Sequence, residues 1–216
     1  NGDLRIRGPL DQPTVFADIV GRDLEYDGIL IGSVSTEATI TGDRLSLRRT
    51  TVRNPYAVAN ARFFQVRFSD LSLQGRLMVR NLDMRHPIFP KELDLAGQLS
   101  GPVLVTGTAK RPRIRSRSQI KSLQIKGAAF DHGQANIYLF TQEHETEMDT
   151  VVQVTGVLGR GEGQISFRTG LFLEREKVNA EVQIEDMDLQ SWLETWDPSY
   201  PSPDGLLKGN VSVKGD

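Results

Sequence analysis

Two stretches of this chain lying 99 residues apart, Gly2 to Gly28 and Gly101 to Gly127, carry glycine at the same three places (Gly2/Gly101, Gly8/Gly107, Gly28/Gly127) and a matching proline, Pro13/Pro112. Apolar positions between those marks also correspond: Leu4/Val103, Ile6/Val105, Val15/Ile114, Leu24/Leu123 and Tyr26/Ile125. A third copy opens near the end, where Gly209, Val211, Val213 and Gly215 stand as Gly101, Val103, Val105 and Gly107 did. Repetition at a fixed period builds a molecule by adding units along one axis, which favours an extended surface over an enclosed pocket. The expectation is one continuous array over residues 1–216, with units of about 1–100 and 101–208 and a third starting at 209, read as a fragment of a longer protein.

Within each copy the apolar residues alternate with polar ones. The period of two is clear in Leu4-Arg5-Ile6-Arg7, Leu45-Ser46-Leu47, Phe64 to Phe68, Leu77-Met78-Val79 and Val103-Leu104-Val105. It continues in Ile137-Tyr138-Leu139, Gln164 to Arg168 and Val178 to Ile184. Side chains at i, i+2 and i+4 of a strand share a face, so this pattern predicts strands with one apolar and one polar side. Turn formers at Tyr26-Asp27-Gly28, Thr41-Gly42-Asp43, Asp131-His132-Gly133 and Gly159-Arg160-Gly161 separate the runs. The fold expected is therefore all-β, a repetitive antiparallel meander. A hydrophobic fraction of 38% suits a sheet with a single apolar face. The one helix expected is 189–196, where Leu189, Trp192, Leu193 and Trp196 fall at helical spacing between an Asp188 N-cap and Asp197-Pro198.

The remaining composition narrows function. With no cysteine, neither disulfides nor thiolate metal sites are available, and the net charge of -2 gives no general attraction to nucleic acid. No apolar run is long enough to cross a bilayer as a helix, so the segment is not expected to span a membrane itself. His86, His132 and His144 lack partners at metal spacing, and the carboxylates form no motif with a nucleophile, so neither an enzyme, a metal site nor a cofactor is expected. Gly159-Arg160-Gly161-Glu162-Gly163 superficially suggests a phosphate loop, but no lysine with Ser/Thr follows, and it reads as a hairpin turn.

Two charged ladders stand out. Arg111, Arg113, Arg115 and Arg117 share a face if extended, opposite Ile114; they read either as a solvated face or as a contact for lipid headgroups or an acidic partner. Glu143, Glu145, Glu147 and Asp149 repel one another at two-residue spacing and are expected to splay into water.

The segment Leu95-Ala96-Gly97-Gln98-Leu99-Ser100-Gly101-Pro102-Val103-Leu104-Val105-Thr106-Gly107-Thr108-Ala109-Lys110-Arg111-Pro112 resembles a recurrent unit of the TamB family, in the AsmA-like superfamily of bridge-like lipid transfer proteins. Gly205 to Gly215 and Gly2 to Pro13 repeat its opening, and the Trp-bearing 189–196 segment is also similar to the YhdP branch. The resemblance implies a long U-shaped, taco-like sheet with an apolar groove, crossing the periplasm from an inner-membrane anchor. It further implies phospholipid movement toward the outer membrane and, for TamB, an Omp85-type (TamA-like) barrel as assembly partner.

If the apolar face is an open groove, its lining is Leu4, Ile6, Leu45, Leu47, Phe64, Val66, Phe68, Leu77, Val79, Val103, Val105, Ile137, Leu139, Ile165, Phe167, Val182 and Ile184, and its occupants are phospholipid acyl chains. Roughly fifteen strands about 4.8 Å apart would extend about 70 Å. From the residues alone a closed sandwich stays equally open. So do a scaffold for outer-membrane protein assembly, pairing through its strand edges, and an extracellular adhesin or carbohydrate-binding solenoid.

Overall fold

The computed structural model of the protein describes residues 2–9, 13–26, 29–87, 89, 94–144, 147–175, 177–188 and 205–215, without the side chains of 2, 26, 29, 144 and 147. The strands are β1 (Gly2–Arg7), β2 (Thr14–Tyr26), β3 (Ile29–Thr41), β4 (Arg44–Asn54), β5 (Ala57–Arg67), β6 (Leu73–Asp83), β7 (Leu95–Gly107), β8 (Pro112–Ile125), β9 (Ala128–His144), β10 (Glu147–Arg160), β11 (Gly163–Phe172), β12 (Lys177–Asp188) and β13 (Leu206–Gly215). They form one 13-stranded antiparallel meander in which each strand pairs with its sequence neighbours. Every extensive contact described between strands is likewise between sequence neighbours. The helix expected at 189–196 and the turn at 27–28 lie outside the described residues.

The 99-residue spacing corresponds to six strands, β1–β6 and then β7–β12, with β13 in the place of β1 and β7. An even number of antiparallel strands restores the chain direction, so equivalent strands run the same way. Backbone irregularities recur at the same interval. Gly8 and Gly107 both have positive φ (101° and 92°), and Asp23 in β2 and Ser122 in β8 are both left-handed (φ 51° each). At Gly107 a Cβ would collide with the Arg111 carbonyl, which explains why glycine is needed there.

Contacts divide the chain into two compact units, Asn1–Leu82 with Gly101–Arg115, and Asp83–Ser100 with Ser116–Asp216. In the first, cross-strand register aligns Leu4, Ala17, Ala38, Leu47, Phe64 and Gly75 in one row, and Ile6, Val15, Ile40, Leu45, Val66 and Leu73 in the next. A third row runs Val34, Val52, Ala59 and Val79. Partners in an antiparallel register point to the same side, so these rows make one apolar face. The polar rows interleave, as in Asp18, Glu37, Arg48, Phe63 and Arg76.

The second unit repeats the arrangement. Leu139, Val152, Leu171 and Val178 align, then Ile137, Val154, Thr169, Ala180 and Val213, then Ala135, Gly156, Phe167, Val182 and Val211, and then Gly133, Leu158, Ile165 and Ile184. The opposite face carries rows such as Asn136, Thr155, Arg168, Glu181 and Ser212.

Three local expectations are corrected. Asp131-His132-Gly133 is no turn but lies inside β9; Gly133 is there because a Cβ would come 2.7 Å from Leu158 Cδ2, so a close approach to β10 fixes the glycine. Asp149 does not splay into water: it is 2% exposed and accepts from Arg175 Nε at 2.5 Å and from the Glu174 amide at 3.3 Å. The ladder reading missed it because the cation comes from the β11–β12 turn, 26 residues away. Glu143 is exposed, and Glu145 lies outside the described residues. Arg111, finally, precedes β8 and is held in a turn by paired bonds with Thr108 (Thr108 N to Arg111 O, 3.2 Å; Arg111 N to Thr108 O, 3.1 Å), so it does not belong to the Arg113/Arg115/Arg117 alternation.

Candidate functional site

The apolar faces are the first candidate, because burial on them is incomplete. Most of their large side chains are half-buried: Leu45, Leu47, Phe64, Val66, Leu77 and Val79 in the first unit, Ile137, Leu139, Phe167, Val182 and Ile184 in the second. Fuller burial falls on Ala38, Ala61 and Ala135 and, in the second unit, on the large side chains Leu99, Ile120, Leu123, Phe130, Leu158, Ile165 and Met187, each 7% exposed or less. Toward the two edge strands the faces open further, to 66% at Leu4 and 51% at Val211. A side chain in a packed two-layer core is typically enclosed on all sides. The half-buried side chains of these faces fall short of that, whereas Leu123, Phe130 and Met187 in the second unit reach it.

Sixteen of the seventeen residues expected to line a groove lie in strands whose alternation puts them on these faces. For Val103 and Val105 the placement follows from their neighbour Leu104, which opens on the polar side beside Phe63 and Met78. Phe68 is the exception: β5 ends at Arg67, and Phe68 sits in the following turn, its amide donating to Asp43 O at 2.7 Å. Asp70, accepting from the Ser72 amide at 2.9 Å, and left-handed Leu71 (φ 53°) close that turn.

Each face is smoothed by a phenylalanine lying over a glycine directly across the ladder. Phe64 pairs with Gly75, and Phe167 with Gly156. A Cβ on Gly75 would overlap the Phe64 ring, and one on Gly156 would lie 2.5 Å from Phe167 Cζ. The ring thus covers backbone that glycine leaves bare. In the first unit the apolar face carries a polar pair near its middle, buried Thr36 and half-buried Thr50, whose hydroxyls lie 2.7 Å apart. Each hydroxyl satisfies the other, which removes most of the cost of placing them there.

On β8, Arg113, Arg115 and Arg117 are exposed while Ile114 and Ser116 are half-buried and Ser118 is buried, so the basic residues point away from Ile114. The glycine-rich 159–163 segment is a two-residue hairpin turn, Gly161 (φ 57°) and Glu162, with the Gly161 amide donating to Asp131 Oδ2 at 2.8 Å. Among the described residues no three His, Cys, Asp or Glu side chains are grouped to hold a metal.

The distinct hollows described in the two units open mainly on the polar faces. One of about 640 Å³ crosses β9–β13 over Asn136, Thr155, Ser166, Arg168, Glu181 and Gln183. Another of about 620 Å³, over β5–β7, has Phe63, Met78 and Leu104 among the residues that line it. The sequence reading missed the arginines around the second. Strands β4–β6 hold eight arginines, no lysine and a single acid, Asp83; eight arginines against two acids, Asp70 and Asp83, in 44–83 were the available signal.

The strongly lowered carboxylates lie at the end of β6 and in the β11–β12 turn. Asp83 is lowered to about 2, first by the side-chain bonds from Arg85 (Nη2 to Oδ2, 2.6 Å) and then by the Arg85 amide. Glu174 is also lowered to about 2, chiefly because it accepts from the Thr150 amide and, at 2.8 Å, from the Thr150 hydroxyl. Asp83 is fastened to Arg85, and Glu174 sits beside the buried Asp149–Arg175 pair; both act as turn fasteners.

The architecture defines a class: an antiparallel meander of 13 strands, each unit of which has one apolar and one polar face. No family model, curated protein or solved structure matches the chain.

Proposed function

We propose that the protein is a segment of a bridge-like lipid transfer protein, whose apolar faces keep phospholipid acyl chains out of water as they move between membranes. The observation that carries the reading is the run of apolar rows on β9–β13, broken at the paired positions only by Thr169, in which Ile137, Leu139, Phe167, Val182 and Ile184 stay half-buried. Exposing an acyl chain costs about 0.8 kcal/mol per methylene, so roughly 16 carbons cost on the order of 13 kcal/mol in transit. Contact with Leu139, Val152, Phe167 and Val182 offsets that cost without directional bonds, which leaves the chain free to slide. The proposal places the segment in the periplasm, in a protein anchored in the inner membrane, and the Arg113/Arg115/Arg117 side outside the lipid path.

Mass spectrometry of protein purified without detergent tests it. Phospholipid is expected at a fixed stoichiometry, crosslinking from photoreactive residues at Val105 and Phe167 but not at Arg115. Lipid-free protein, or equal crosslinking from both faces, would remove the reading.

A second reading has its own observation. Among the described residues β1 and β13 are the outer strands of the sheet, each paired on one side, and they expose Leu4, Ile6, Val211 and Val213. Such edges accept another strand. This fits a scaffold assisting assembly of an outer-membrane barrel of the Omp85 type, and the absence of bound lipid together with strand-edge crosslinks to a partner would favour it.

A further inference from the structure

The polar face of the first unit carries a second site, built by a bulge. Between Ala61 and Phe63 the register of β5 against β6 slips by one residue, so Arg62 is the extra one. Normal alternation would send Arg62 and Phe63 to opposite faces. The bulge turns both toward the same hollow, while Phe64 returns to the apolar face. Phe63 (39% exposed), Met78 (39%) and Leu104 (43%) are its apolar contacts. Arg62, Arg76 and Arg80 line it as well.

The charge around this hollow is not balanced from within. Of the eight arginines on β4–β6, Arg44, Arg49 and Arg67 pair with Asp43, Glu37 and Asp70. The guanidinium groups of Arg48, Arg53, Arg62, Arg76 and Arg80 have no ion pair or side-chain hydrogen bond among the described residues. Arg48 and Arg76 flank Phe63 directly across the two ladders. Five unpaired like charges on one face of a chain whose net charge is -2 repel one another, and an anionic partner relieves that repulsion.

We infer that this hollow docks an acidic, amphipathic segment of a protein partner, one large apolar side chain seated against Phe63, Met78 and Leu104 with carboxylates on the surrounding arginines. The basic residues are all arginine, whose planar fork meets a carboxylate through two parallel bonds. A bilayer surface fits less well, because the apolar contacts line a recess and offer no protruding wedge. Nucleic acid fits less well too, since one recessed phenylalanine gives no succession of stacking platforms.

The experiment uses this chain and a fluorescein-labelled peptide, Glu-Glu-Asp-Trp-Glu-Glu-Leu-Asp, followed by fluorescence anisotropy. Binding is expected to weaken about tenfold between 50 and 300 mM salt. Arg62→Ser/Arg76→Ser/Arg80→Ser should lose at least about 30-fold, and Met78→Asp about tenfold, with unchanged circular dichroism. Arg113→Ser/Arg115→Ser/Arg117→Ser, on β8, should bind as the parent does. Lack of binding by the parent chain overturns the inference. So does equal binding of a peptide with Trp and Leu replaced by Gly, or equal loss in the β8 variant. If the arginine dependence is seen only with phosphatidylglycerol vesicles, the site belongs to a lipid surface and the inference fails. None of these outcomes depends on bound acyl chains on the other face, so this site and the lipid path stand or fall separately.

Discussion

Gly75 and Gly156 show how a single atom sets the texture of a face. Both are paired across the ladder with a phenylalanine, and both lack the Cβ that would push the ring away. Replacing Gly75 by Val should lift Phe64 off the strand and destabilise the protein by about 1–3 kcal/mol, the usual range for overpacking. Chemical denaturation measures it, and Gly75→Val with Phe64→Leu should recover part of the loss. These glycines read in the sequence as weak points within strands. Their purpose was not legible, because it depends on which residue stands opposite, and register is set by turns and bulges elsewhere. The same limit explains Asp149: the Glu143–Asp149 alternation was visible, but the Arg175 that buries it was not.

Individual strands, by contrast, were written plainly in the chain. Leu45-Ser46-Leu47 and Val178 to Ile184 alternate without interruption, and β4 and β12 follow them. Legibility failed where the backbone leaves the ideal ladder. The left-handed residues Asp23, Arg49, Asn81, Ser122 and Asp186 lie inside strands, and two of these, Arg49 and Ser122, are residues for which sequence gives no warning. The β11–β12 turn supplies a pH-dependent prediction at this scale. Glu174 is lowered from 4.5 to about 2 by bonds from Thr150. A depressed folded value means its stabilisation is fully present above pH 4.5 and is lost as pH falls toward 2. The protection of the Thr150 and Leu173 amides, taken relative to their intrinsic exchange rates, should therefore fall across that window, and Glu174→Gln should abolish the acid-dependent part. The β8 ladder gives another. Since Arg113, Arg115 and Arg117 point away from Ile114, replacing all three by Ser should leave lipid occupancy unchanged; a large salt-sensitive loss would make them a headgroup site.

At the scale of the molecule, the division into an apolar and a polar face was legible, and the choice between an open face and a closed core was not, because alternation reads the same in both. A buried carboxylate distinguishes them. Asp in place of Val105 tests the first unit, and Asp in place of Phe167 the second; both positions are half-buried. In a closed two-layer core either change strands an unpaired charge and costs more than about 4 kcal/mol. On a face whose neighbours leave it partly hydrated, the carboxylate keeps much of its water, and the expected cost is about 1–2 kcal/mol. An acyl chain passing that point must strip the remaining water, so lipid should no longer be retained. The expected result is two variants with near-native circular dichroism and cooperative melting that copurify with little phospholipid. Unfolding of both would instead assign the apolar rows to a packed core, and folded variants with full lipid occupancy would remove these faces from the transfer path.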